Sequence, residues 1–219
     1  QIRMKRYLPF VIIAAVLAAA VGAGYLMFNS SRTQPAATLP PAAGSGATPG
    51  AAVSKGAVVI DEFGDYQCPP CGSLHPLLKT LKSEYGDRLQ INFHHFPLVQ
   101  IHSHALEAAY AASAASLQGK FWEMHNLLYE NQSTWSQVGD FSPLLLDYAR
   151  QAGLDVARFT RDINGLQVMK IVSEDGRRAE AAGVNSTPTI FINNQLIPND
   201  KLTPEGLRKE ISERLPVSP

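Results

Sequence analysis

Cys68 and Cys71 are the only two cysteines of the 219-residue chain, and two prolines separate them in the run Asp65-Tyr66-Gln67-Cys68-Pro69-Pro70-Cys71-Gly72. Two thiols on one turn can close a small ring, so the pair can pass between dithiol and disulfide without moving the rest of a fold. The preceding stretch Ala57-Val58-Val59-Ile60 reads as a buried strand, and Gly72 to Tyr85 as a helix with Leu74, Leu77, Leu78 and Leu81 on one face. Cys68 then lies where a strand hands over to a helix. There the free N–H groups and the positive end of the helix dipole favour a thiolate, lowering its pKa below the ~8.5 of a free cysteine. Cys68 is therefore expected to attack, and Cys71, a turn deeper, to resolve the mixed disulfide. Pro69 and Pro70 have no N–H, which leaves the dipole and the amides from Cys71 onward to solvate the sulfur and predicts a moderately stabilised thiolate. The same two cysteines also fit a structural disulfide, or half of a zinc site that would recruit His75 and another histidine. Zinc needs about four ligands, and no Cys-x-x-Cys with His-x-x-x-His spacing is present.

The elements that must hold this pair begin well into the chain. After Lys5 and Arg6 an apolar run extends from Leu8 to Phe28, long enough at about 1.5 Å per residue to cross a ~30 Å hydrocarbon core. It is read as an uncleaved anchor rather than a signal segment, because Tyr25-Leu26-Met27-Phe28 continues past the small residues that a cleavage site would use. Positive charge ahead of the span places the remainder of the chain outside the cytoplasm, in an oxidising compartment. If the segment is cleaved, that remainder is periplasmic or secreted. Residues 29–55 are Ala, Gly, Pro, Ser and Thr with few bulky side chains, a composition that cannot bury a core and makes a tether with a reach on the order of 30 Å. Residues 56–219 leave the length of a single domain. The formal net charge is zero, so no basic patch points to nucleic acid.

Within that domain, Leu89 to Leu98 alternates apolar and polar residues and reads as a strand ending at proline. Strand, helix, strand implies a parallel crossover. From His102 to about Gly183 the pattern is helical, in segments 105–117, 120–131, 143–152, 156–163 and 168–182, with Gly119, Gly153, Gly165 and Gly183 expected at helix C-termini. Strand then returns at 187–193, with an Asn193-Asn194 turn into Leu196-Ile197 and a closing helix from Thr203 to Leu215. The stripe Phe121, Trp122, Met124, Leu127, Leu128 and Tyr129 reads as helix core. His94, His95, His102 and His104 read as solvated loop and cap positions rather than as a metal site.

Five motifs together carry a family resemblance over about residues 56–215. They are Glu62 six residues before Cys68, the Asp65-to-Cys71 run, His95-Phe96-Pro97-Leu98, Gln118 to His125, and Thr187-Pro188-Thr189. The chain resembles the DsbA-like branch of the thioredoxin superfamily. The resemblance implies an α/β thioredoxin fold with a helical insert at about 99–183; the apolar run and the composition after it add a transmembrane helix within 1–28 and a flexible linker ahead of that fold. It implies that Pro188 is cis and faces the dithiol, that the backbone of Thr187 pairs with the substrate chain, and that Glu62 relays protons to Cys71. A carboxyl in an apolar strand should have a raised pKa, and Asp61, by alternation, faces the other side of the sheet.

One departure bears on the chemistry: many DsbA-like oxidases carry histidine where this chain has Pro70. A less stabilised thiolate predicts a potential between ~−120 mV and ~−270 mV. The expected function is that of an extracytoplasmic thiol:disulfide oxidoreductase, an oxidase that introduces disulfides into exported proteins. Cys68, Cys71 and Glu62 would be catalytic, Pro69 and Pro70 supporting, and Thr187 and Pro188 substrate-binding. No cofactor or metal is expected. The partners would be exported proteins with thiols and a membrane redox protein for reoxidation, with the chain itself a monomer. The rival readings are a reductase or isomerase using the same site, a glutathione-dependent transferase or isomerase of related fold, and a non-enzymatic binding module with a structural disulfide.

Overall fold

The computed structural model describes residues 56–216 and, ahead of them, Gly22 alone. The expected anchor and tether lie outside the described residues, apart from Gly22. No helix among those described is long and apolar enough to cross a membrane.

Strand β1 (Val58–Gly64) runs beyond the apolar stretch Val58-Val59-Ile60 to take in Asp61, Glu62 and Phe63. It is a central strand. β2 (Leu89–His95) pairs with it in parallel, β3 (Thr189–Ile192) pairs antiparallel on its other side, and β4 (Gln195–Ile197) forms the edge, giving the order β2-β1-β3-β4. A central strand covered on both faces buries consecutive residues rather than alternate ones; all of Ile60 to Gly64 is buried. Asn193 and Asn194 both take positive φ, 48° and 66°, to turn β3 into β4, as a tight two-residue hairpin turn requires.

Helix α1 (Pro69–Tyr85) follows β1 and starts three residues ahead of the glycine expected to open it. Pro69 and Pro70 are the reason: proline's fixed φ suits the first helical positions, where its missing N–H has no partner to lose. The insert comprises α2 (Ala105–Ser116), α3 (Phe121–Glu130), α4 (Gln132–Trp135), α5 (Ser142–Gln151), α6 (Val156–Asp162) and α7 (Leu166–Ala181), and α8 (Pro204–Ser212) closes the chain. Gly119, Gly153 and Gly183 have φ of 71°, 72° and 71°. Gly165 does not terminate a helix in that conformation: its φ is −80° and it is the N-cap of α7.

Two cores result. One packs Leu74, Leu78 and Leu81 of α1 and Leu207 and Ile211 of α8 against Val58, Ile60, Ile190 and Ile192 of the sheet. The other fills the insert, with the alanines of α2 against Phe121, Met124, Leu128, Trp135 and Phe141, and it reaches Tyr66, Cys68 and Cys71. Trp122 is not part of it. Although expected in the core, its side chain is on the solvent side of α3, 37% exposed.

Candidate functional site

The dithiol stands on the turn between β1 and α1. Asp65 shapes that turn: its Oδ1 accepts from the Gln67 N–H at 2.7 Å, and its carbonyl accepts from the Cys68 N–H at 3.1 Å. Cys68 is the N-cap of α1 and has no side-chain cap bond. Both cysteines are free thiols; Cys68 is 5% exposed and Cys71 fully buried.

Their environments drive the two thiols apart. The Cys68 pKa is lowered to about 6, first by the hydrogen bond from the Cys71 thiol, against the opposing effect of burial, and further by the Cys71 N–H. The Cys71 thiol is pushed far up, first by burial, then by its bond to Cys68 and the charge of Glu62. At neutral pH Cys68 is thus the thiolate and Cys71 the thiol that donates to it. In the protonated form Cys68 Sγ donates to the Thr187 carbonyl at 3.4 Å. The Thr187–Pro188 peptide bond is cis.

Glu62 lies in β1, two residues before its last residue Gly64, is 2% exposed, and its charge is felt by Cys71. Burial raises its pKa to about 8 against the opposing charge of His94, and its Oε1 has no hydrogen-bond partner among the described residues. The structure therefore brings Cys68, Cys71, Thr187, Pro188 and Glu62 into one neighbourhood. Pro69 and Pro70 form its exposed rim.

Several residues at the site receive no role from the sequence, although Asp65, Tyr66 and His125 fall within its motifs. Asp65 Oδ2 accepts from the Leu98 N–H at 2.8 Å and contacts His102 Nδ1 at 2.7 Å, tying the loop after β2 to the cysteine turn. An acid three residues before a helix N-cap is a recognised turn former, and Asp65 also opens the Asp65-to-Cys71 motif. Gln132 Nε2 donates to the carbonyls of Tyr66 and Cys68 at 2.7 and 2.9 Å. Below them Tyr66 Oη lies 3.0 Å from His125 Nδ1, and His75 packs against both His125 and Tyr129.

The histidines are not solvated as expected. His94 and His95 are 3% and 0% exposed. His94 lies between Asp61 (2.8 Å) and Asp175 (3.2 Å), linking the sheet to α7. Burial disfavours the His94 cation, but the bonds to Asp175 and Asp61 outweigh it and raise the pKa. His102 and His104 are also held, by Asp65 and by the Val138 carbonyl. No group of three or more metal-ligating side chains converges among the described residues.

Comparison with known proteins places this geometry. Residues 50–213 match the family described as Thioredoxin. The oxidised structure of BdbD from Bacillus subtilis superposes with a TM-score of 0.69 at 21% identity, over 83% of this chain and 98% of that one. The probable disulfide bond formation protein D of Bacillus cereus is 29% identical over 163 residues, 72% of this chain and 74% of its own. Na(+)/H(+) antiporter NhaA 1 of Mycolicibacterium vanbaalenii is 37% identical over 140 residues, which are 62% of this chain and 22% of the antiporter. The chain thus spans about a fifth of the length of that relative. From the matched span, which takes in the Cys68–Cys71 pair, the chain belongs to the thioredoxin family.

Proposed function

We propose that the chain is an extracytoplasmic thiol:disulfide oxidoreductase that donates its Cys68–Cys71 disulfide to exported proteins. The observation that carries this reading is the split between the two thiols, Cys68 at about 6 and Cys71 far above it. A substrate thiolate attacks Cys68, the Cys68–Cys71 bond breaks, and its electron pair passes to Cys71, which takes a proton from Glu62. A second substrate thiolate then attacks the substrate sulfur of the mixed disulfide and expels Cys68 as the better leaving thiolate. The substrate leaves oxidised and the protein is left as the dithiol. Thr187, beside the Cys68 sulfur, offers its backbone to the substrate chain.

A Cys68 pKa of about 6 favours the reduced form about tenfold at pH 7, or about 30 mV for a two-electron couple. That supports a disulfide donor of moderate strength, with a membrane-bound redox protein to reoxidise it. The reductase reading draws on the same value, which is nearer the ~7 of thioredoxin than the ~3.5 of DsbA. Equilibration of the pair with glutathione buffers separates the two. A potential above about −200 mV is expected of the donor, and one near −270 mV overturns the oxidase in favour of the reductase. A pair that does not equilibrate is a structural disulfide.

A further inference from the structure

Below the dithiol a cavity of about 380 Å³ opens between α1, β2 and α3. Its inner wall carries Glu62, His75 and His125, with Leu78 and Ile91 as apolar lining, and its mouth carries Lys79, Lys82 and Trp122, all exposed. Two polar atoms on this wall have no hydrogen-bond partner among the described residues: Glu62 Oε1 and His75 Nε2, on residues 2% and 4% exposed. Leaving buried polar atoms unpaired is costly, and the volume far exceeds what a water molecule needs. Both residues line the cavity that reaches solvent, with these two atoms buried behind its surface.

The two lysines of the cavity and one ring nitrogen of His125 are engaged elsewhere. Lys79 is held by Glu130 at 2.7 Å, and Lys82 donates to the Gly86 and Leu89 carbonyls at 2.8 and 2.7 Å. His125 Nδ1 is taken by the Tyr66 hydroxyl. Of the two histidines that line the cavity, His75 is the one with a buried ring nitrogen, Nε2, that has no partner among the described residues, as Glu62 Oε1 has none.

We propose that this cavity is the route by which protons reach and leave the dithiol, and that His75 passes them between Glu62 and solvent. This rests on the reading of Glu62 as the acid that serves Cys71. On reduction of the disulfide, the electron pair of the broken S–S bond goes to Cys71, Glu62 gives that sulfur its proton, and the carboxylate is reprotonated through His75. On reoxidation the Cys71 proton leaves by the reverse path as the thiolate attacks. In this route His75 is a positioning residue that acts through Glu62. Burial holds it neutral, with its pKa lowered to about 4, so Nε2 can accept a proton only transiently, as a relay requires. The charged and titratable groups facing it are Lys79 on its own helix, Glu130, His125 and Tyr129 from α3, and Glu62 across the cavity.

The test is ring closure on the full chain, read as the rate at which the glutathione mixed disulfide of Cys68 resolves to Cys68–Cys71 between pH 6 and 9. His75→Gln and His75→Ala should each slow it about tenfold or more while leaving the equilibrium with glutathione unchanged. Added imidazole should restore His75→Ala and not Glu62→Gln. Slowing that imidazole does not relieve marks a packing effect and overturns the assignment. Normal rates in the His75 variants with Glu62→Gln slow overturn the route and leave Glu62 its role. Normal rates in all three remove the Glu62 reading and the route with it. Should His75→Ala fail to fold, Asn126→Trp, which narrows the mouth from α3, carries the test: slower closure is expected, and an unchanged rate overturns the proposal.

Discussion

At Cys68 the chemistry depends on one neighbour more than on the helix. The first cause of its lowered pKa is the hydrogen bond from the Cys71 thiol, and the Cys71 N–H contributes less. Pro69 and Pro70 explain this, since neither has an amide hydrogen to offer the sulfur. The resolving thiol therefore has a second task, holding the attacking sulfur as thiolate until it is needed. Alkylation of the reduced chain by iodoacetamide should titrate with a midpoint near 6. Cys71→Ala should move that midpoint upward, while Cys71→Ser, which keeps a donor, should move it less. An equal response in the two variants would show that the dipole and not the thiol sets the value.

Among the elements, the connection between the cysteine turn and the loop after β2 rests on Asp65. This side chain, 1% exposed, accepts from the Gln67 and Leu98 amides and contacts His102. Asp65→Ala leaves those donors without a partner and should cost about 3 kcal/mol in urea unfolding. Amide exchange should also quicken from Leu98 to His102. A variant within 0.5 kcal/mol of the parent would mean that water replaces the carboxylate. Such long-range ties are where reading the chain alone stops. Val58 to Ile60, the alternation after Leu89, the amphipathic helices and the Asn193-Asn194 turn are local patterns, and each appears as an element. The acids at Asp61 and Glu62 hide the second half of β1, because a polar pair inside a central strand breaks the apolar run that marks such strands. Gly165 misleads because a glycine between two helices suits the end of one and the start of the next equally. Gln132 and the Asp61–His94–Asp175 link join residues 33 to 81 positions apart, with no local signal. The close packing above Glu62 is equally silent: a β-carbon on Gly64 would come within 2.4 Å of the Phe93 ring.

Over the whole molecule, the buried titratable groups set a pH optimum for stability. Burial lowers His75 and His95 to about 4 and holds His125 well below the usual imidazole range. Their contribution is present above the unfolded value of 6.5 and is lost as pH falls toward 4, on the order of 3 kcal/mol each for His75 and His95. Glu62 acts in the opposite sense. Its folded pKa of about 8 against 4.5 unfolded gives stability that is full below 4.5 and lost as pH rises through 8, about 2 kcal/mol of it between pH 6.5 and 8. His94, raised by its two aspartates, adds to that alkaline loss. In the reduced chain Cys68, at about 6 against 9.0, gains stability over the same interval and masks the fall, so the disulfide form is the one to measure. Its urea unfolding free energy should peak near pH 6.5, and Glu62→Gln should flatten the alkaline limb while leaving the acid limb in place. A parent curve that keeps rising to pH 8 would mean that Glu62 is ionised in the folded protein at neutral pH, and would take from Cys71 the proton donor on which disulfide donation depends.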